Sequence, residues 1–252
     1  MSPYSNNDPS EFSQITDNLI DDHPLRTSQI VELCQLTWEI INSTKIGTSE
    51  QGFLLKELDP PAQIIGYLFE KIFCALLNKS FPNEWRNGDI LNEKDVVYEK
   101  DNKYSFEIKS SGQKSLKIYG NRSYGKSPKN SQKIKKDKSG YYLAINFYKD
   151  KLELIRFGWI DQSDWLSQKS ETGQQSHLDN IVYEKKLKIL NGDYLDGTDL
   201  ELFLGKNKKI MNEINTLKIT SIRQLLNTSN KYSEILQKKI SYINSLMFSS
   251  KQ

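Results

Sequence analysis

The stretch DVVYEKDNKYSFEIKSS, Asp95 to Ser111, holds the residue types needed to hydrolyse a phosphodiester. Asp95 precedes a short apolar run and a charged turn, and Glu107 then stands one residue away from Lys109. Side chains alternate along an extended strand, so Ser105, Glu107 and Lys109 share one face while Tyr104, Phe106 and Ile108 share the other. Mg2+ is a hard ion that prefers oxygen ligands and keeps several waters, and Asp95, Glu107 and the backbone carbonyl of Ile108 would suit it. Such an ion polarises a phosphoryl group and lowers the pKa of a bound water, while Lys109 would orient that water or stabilise the charge building on phosphorus. The competing reading is an exposed hairpin whose alternating charges protect a sheet edge.

Register decides whether Asp95 joins the other two. A four-residue loop would pair Asp95 with Ile108 and turn its carboxylate to the apolar face. A loop with an odd number of residues, for example Asp101-Asn102-Lys103, or a bulge, puts Asp95 opposite Lys109 and beside Glu107.

Two neighbouring segments favour the chemical reading. Upstream, Glu70 lies in an apolar helical pattern with Gly66, Tyr67, Phe73 and Cys74 at its i±3 and i±4 positions, so it has no helical ion-pair partner. A carboxylate buried there must be paired with a distant Lys or Arg, bind a metal, or lie at a cleft edge. Downstream, residues 109–138 carry ten Lys and Arg against the single acid Asp137, although the whole chain is only +3. Lys114, Lys117, Lys126, Lys129 and Lys133 are candidate phosphate contacts, interleaved with Tyr119, Arg122 and Tyr124. Asn121, Arg122, Gln174 and Gln175 are candidates for reading base edges, since Arg pairs bidentately with guanine and Asn or Gln with adenine. As single residues each also fits a plain polar loop.

Composition removes other chemistries. Only two histidines occur, His23 in a polar N-terminal stretch and His177 in a polar loop, with no nucleophile motif beside either. Cys34 and Cys74 fall inside apolar helical patterns and read as reduced core thiols rather than a disulfide or zinc site. No apolar run is long enough to span a bilayer and no signal peptide opens the chain, which predicts an intracellular, cytoplasmic protein without a membrane partner.

The elements that must position these residues follow from periodicity. Residues 1–26 read as a loosely ordered polar tail, and 27–252 as one domain whose part from about Asp199 is helical. A helix is expected over Thr27–Asn42, capped by Thr27 or Ser28, and a second, apolar nearly all round and therefore buried, between Pro61 and Pro82. Strands follow at Asp95–Glu99, Tyr104–Lys109, Gly140–Tyr148 and KLELIRFGWI (151–160), the last two joined at Lys149-Asp150. DQSDWLSQ reads as a short helix capped by Asp161 or Ser163, and NIVYEKKLKIL as one more strand. In the last helix Ile235, Leu236, Ile240, Ile243 and Met247 form one stripe. This order predicts an α/β (mixed α+β) fold around a mixed sheet.

Asp95, Glu107-Ile108-Lys109 and the helix glutamate Glu70 resemble the pattern of the PD-(D/E)xK nucleases, and in particular of type II restriction endonucleases. Lys94 stands where a proline often precedes the aspartate in that family. The segment RFGWIDQSDWLSQKSETGQQSHL (156–178) resembles one in ScaI-like restriction enzymes. The resemblance implies a restriction-endonuclease-like core with a mixed sheet of four or five strands flanked by helices. It further implies Mg2+-dependent cleavage of double-stranded DNA leaving 5′-phosphates, a homodimer acting on a palindrome, and a cognate DNA methyltransferase in the same cell. The alternatives are a structure-specific or repair nuclease of the same fold and a non-catalytic DNA-binding protein that uses only the basic segment.

Overall fold

The structure, a computed structural model, describes residues 2–89, 92–113, 116–121, 124, 138–167, 175–192, 200, 204, 207–220, 222–227 and 232–248. In chain order these form α1 (Phe12–Asp21), α2 (Thr27–Ser43), a hairpin of β1 (Lys45–Gly47) and β2 (Gly52–Leu54), and α3 (Ala62–Ser80). Then come β3 (Trp85–Asn87), β4 (Val96–Tyr98), β5 (Phe106–Ser111), β6 (Tyr119–Asn121), β7 (Gly140–Tyr148) and β8 (Lys151–Ile160). The chain continues through β9 (Trp165–Ser167), β10 (Gln175–Leu178), β11 (Leu187–Asn191), α4 (Lys208–Thr216), α5 (Ile222–Asn227) and α6 (Glu234–Phe248).

Six strands make the central sheet in the order β11-β8-β7-β5-β4-β3. Every pair is antiparallel except β5 with β7, so the expected mixed sheet is present, flanked by helices. β7 and β8 meet at the predicted turn, with Tyr148 opposite Lys151 and Lys149 at a positive φ of 54°.

Alternation gives the sheet two different faces. On one, Phe106, Ile108, Tyr141, Leu143, Ile145, Ile155 and Phe157 pack against α2 and α3 through Ile30, Cys34, Trp38, Phe69, Phe73 and Leu77. On the other, Tyr142, Ala144 and Ile160 pack with Ile118, Tyr124, Trp165, Leu178 and Tyr183. This second layer includes a small sheet, ordered β6-β10-β9. Arg156, fully buried in β8, anchors the chain that leads into it by donating to the Leu116 carbonyl at 2.9 Å and to Asn146 Oδ1 at 3.3 Å. A buried guanidinium requires such acceptors. Tyr183 adds a clamp, its hydroxyl accepting from Ile118 N–H at 3.1 Å.

Several expectations need correction. The segment read as a loose tail contains α1, and Tyr4, Ile20 and Leu25 are buried. Tyr141 donates to the Leu19 carbonyl at 2.9 Å, which ties α1 to the sheet. The capping position of α2 is Arg26, not Thr27 or Ser28, with its N–H donating to Gln29 Oε1 at 2.9 Å. Helix α3 is buried on one face only, and Ile64 and Tyr67 are exposed. DQSDWLSQ gives a 3-10 turn at Gln162–Asp164 and then β9, while a π-helical turn, Val182–Lys186, precedes β11. In α6 Leu236 is buried but Ile235 is exposed; the side chains of Ile243 and Met247 lie outside the described residues. Among the described residues no helix is long and apolar enough to cross a membrane.

Candidate active site

Strand β5 is internal to the sheet, with parallel β7 on one side and β4 on the other. That position rules out the exposed-edge reading of the hairpin. Val96 stands opposite Phe106, so the turn between the strands is centred on Asp101 and has the odd parity the site requires. Its register differs by one pair from the example of Asp101-Asn102-Lys103: continued toward Asp95, it faces Glu107 rather than Lys109. Ser105 helps to close the turn, its Oγ accepting from Tyr98 N–H at 3.0 Å.

Beyond Val96 the two strands exchange a side-chain bond in place of a backbone one. Ile108 N–H donates to Asp95 Oδ2 at 2.8 Å, which fixes the carboxylate at the end of β4. Glu107 is only 1% exposed, and its Oε2 lies 3.5 Å from Lys109 Nζ. The same ammonium is 3.9 Å from Asp95 Oδ2 and 3.2 Å from the Ile108 carbonyl oxygen. Asp95, Glu107, Ile108 and Lys109 are therefore gathered at one point on the face covered by the small sheet.

Burial pushes the Asp95 carboxyl up to about 6, with the Lys109 ammonium opposing and the Glu107 carboxylate adding to the rise. Burial works against the charge of Lys109, but Tyr124, Asp95 and Glu107 outweigh it and raise the ammonium above its ordinary value. Lys109 is thus a cation throughout the neutral range.

Glu70 belongs to the opposite layer. Of the three options its apolar surroundings leave, a distant cation, a metal or a cleft edge, it takes a partly exposed position and pairs not with a distant cation but with the adjacent Lys71 at 2.9 Å. Helical spacing placed Lys71 on a different face, and a flexible lysine stem overcomes that spacing. Glu70 still adds to the rise of Asp95, so it lies within electrostatic reach. Gly66 explains how: a Cβ there would come within 2.3 Å of Ser110 Oγ. This close approach sets α3 directly on β5, one turn before Glu70.

The donor set suits a hard divalent ion. It comprises two carboxylates and a carbonyl oxygen, all around one ammonium. Among the described residues no group of three or more His, Cys, Asp or Glu side chains is arranged to hold a metal, and Glu70 does not join the other two carboxylates.

Two further residues reach the site. Lys94 Nζ lies 3.9 Å from Glu107 Oε1 and donates to the Ser139 carbonyl at 2.8 Å. Tyr124, read from the sequence as a nucleic-acid contact, is buried with its hydroxyl 3.5 Å from Glu107 Oε2. The position of Lys94 beside Asp95 was the available clue for the first. No local signal identified the second, because its approach depends on packing across layers.

Of the candidate DNA contacts, Asn121 and Gln175 are directly paired across β6 and β10, and both are exposed. Fifty-four residues of sequence separate them. Lys117 is partly exposed, its Nζ 3.3 Å from Asn180 Oδ1. Lys114, Arg122, Lys126, Lys129, Lys133 and Gln174 lie outside the described residues. His23 is a core residue, with Nε2 3.1 Å from the Tyr104 carbonyl oxygen and Tyr141 and Phe157 packed around the ring. Burial holds its pKa down at about 4.

The family model described as ScaI restriction endonuclease matches residues 2–191. The type II restriction enzyme ScaI of Streptomyces caespitosus is 37% identical over 199 residues, which cover 75% of this chain and 85% of that enzyme. No solved structure matches the chain significantly. The family match takes in both sheets, Glu70, Asp95, Glu107 and Lys109, and ends with β11, before α4, α5 and α6. With a family match over residues 2–191 and 37% identity to a restriction enzyme over three quarters of this chain, the chain belongs to the ScaI restriction endonuclease family.

Proposed function

We propose that the protein is a type II restriction endonuclease that cleaves double-stranded DNA at a specific sequence and depends on Mg2+. The observation that carries this reading is the convergence of Asp95, Glu107 and the Ile108 carbonyl on Lys109. Asp95 and Glu107, with the Ile108 carbonyl, would hold Mg2+. A bound Mg2+ would supply Lewis-acid polarisation of the scissile phosphate and a more acidic water. Lys109, a half-buried ammonium held above its ordinary pKa by Tyr124, Asp95 and Glu107, holds the attacking water in line and stabilises negative charge on the phosphoryl oxygens. Glu70 contributes a third negative charge at the rim, where it works through the charge on Asp95.

Asn121 and Gln175, adjacent at the open end of the small sheet, read base edges, and Lys117 contacts phosphate. Lys114, Lys126, Lys129 and Lys133 are further phosphate contacts, and Arg122 and Gln174 further readers of base edges. A homodimer supplies two equal half-sites on a palindrome, with a cognate methyltransferase protecting host DNA.

Incubation of the protein with plasmid and Mg2+ should give discrete fragments that EDTA abolishes. A shifted but intact plasmid favours a DNA-binding module, and random nicking favours a structure-specific or repair nuclease. Sequencing the fragment ends identifies the recognition sequence and the cut position.

A further inference from the structure

Tyr124 occupies the space between the small sheet and the catalytic residues. Only 5% of it is exposed, and its hydroxyl lies 3.5 Å from Glu107 Oε2. Lys109 Nζ stands 5.3 Å from the ring centroid, and Lys138 Nζ 4.3 Å from it. Four contacts fix the residue. Gly120 makes room for the ring, since a Cβ there would come within 2.8 Å of Tyr124 Cγ. Trp165 packs edge-on with centroids 4.8 Å apart. Tyr124 N–H donates to the Asn121 carbonyl at 2.9 Å, and the Gln162 amide donates to the Tyr124 carbonyl.

We propose that Tyr124 is a positioning residue for DNA cleavage: its hydroxyl donates to Glu107 while its ring face carries Lys109, which sets carboxylate and ammonium relative to each other. This role rests on the nuclease reading above. Glu107 is drawn two ways, toward Lys94 through Oε1 at 3.9 Å and toward Lys109 through Oε2 at 3.5 Å. A neutral donor at Oε2 fixes the carboxylate without cancelling its charge, which a third ammonium there would do. Because its N–H donates to the Asn121 carbonyl and its hydroxyl to Glu107, Tyr124 ties the exposed end of the small sheet to the catalytic centre.

The test compares the wild-type chain with Tyr124→Phe, which keeps the ring and removes the hydroxyl. Three readouts are needed: single-turnover cleavage with Mg2+, DNA affinity in EDTA, and the thermal midpoint. Cleavage should slow by roughly 10–100-fold, as for loss of a group that orients a ligand, with affinity and midpoint unchanged. A wild-type rate overturns the proposal, and so does a loss that lies wholly in DNA affinity, which would make Tyr124 a DNA contact. Should Tyr124→Phe not fold, Gln162→Ala frees the Tyr124 main chain instead. Slower cleavage at unchanged affinity then supports the role and an unchanged rate overturns it. A wild-type protein that does not cut removes the nuclease reading and this role with it, whereas equal activity of wild type and variant removes the role alone.

Discussion

Asp95→Asn should yield a protein that is more stable than the wild type and unable to cut. The Asp95 carboxyl is raised from 3.8 to about 6, mainly by burial, with Glu107 and Glu70 adding to the rise against the pull of Lys109. At about 1.4 kcal/mol per pH unit, holding this charge in the folded state costs about 3 kcal/mol above pH 6. Asparagine removes the charge and keeps an oxygen that can accept from Ile108 N–H, the bond that fixes Asp95 at 2.8 Å. The sign with pH follows from linkage. Between about 3.8 and about 6 the native state binds a proton that the unfolded chain does not, so Asp95 contributes more stability as pH falls through about 6. At about pH 5 the wild type recovers roughly 1 kcal/mol, and the advantage of the variant should narrow by that amount. Urea unfolding of both proteins at about pH 7.5 and about pH 5 measures the difference, and plasmid cleavage measures the function. A variant less stable than wild type near pH 7.5, or an advantage independent of pH, would refute the account of Asp95 as a charge held at an energetic cost.

Three further outcomes follow. Lys109→Ala should retain DNA binding and lose cleavage, as followed by gel shift in EDTA and plasmid digestion with Mg2+; an active variant removes the proposed role of the ammonium. Gly66→Ala should destabilise the protein by about 1–3 kcal/mol through overpacking, because the new Cβ meets Ser110 Oγ at 2.3 Å. Adding Ser110→Ala should restore most of that loss in urea unfolding, since it deletes the colliding atom. His23 is lowered from 6.5 to about 4, so the unfolded chain takes up a proton in that window that the native state refuses, and stability is lost as pH falls through it, by about 3 kcal/mol. This slope opposes that of Asp95 below pH 6, and His23→Leu should remove it, leaving the Asp95 contribution uncancelled, so that stability-versus-pH curves of the variant rise relative to wild type as pH falls from about 6 to about 4.

Much of the site was legible in the sequence because its three reactive residues lie on two neighbouring strands. Period-two alternation is local, so the strands at 140–148 and 151–160, and the shared face of Glu107 and Lys109, follow from residue order, whereas the strand expected at 104–109 runs from Phe106 to Ser111 because Asn102–Tyr104 form a 3-10 turn. The scarcity of histidine confined the chemistry to carboxylates and lysine in the same way. The pairing parity at Asp95 could be posed from sequence but not answered, since the Ser105 hydroxyl and the 3-10 turn at Asn102–Tyr104 decide it. Glu70 shows the opposite limit: helical spacing gave its position, but the pair with Lys71 depends on where a long side chain bends.

What lay beyond local pattern was contact across layers. Whether α1 folds onto the sheet depends on Leu19 and Tyr141, 122 residues apart. The adjacency of Asn121 and Gln175 arises because β10 returns beside β6, and the place of Tyr124 beside Glu107 arises because Gly120 has no side chain to keep it out. The sequence by itself determined the reactive groups, the strands that carry them and the face they share, because those properties repeat over a few residues. Only the tertiary structure decided how far each group is from water and which distant side chains surround it, and these set the charge of Asp95 and Lys109.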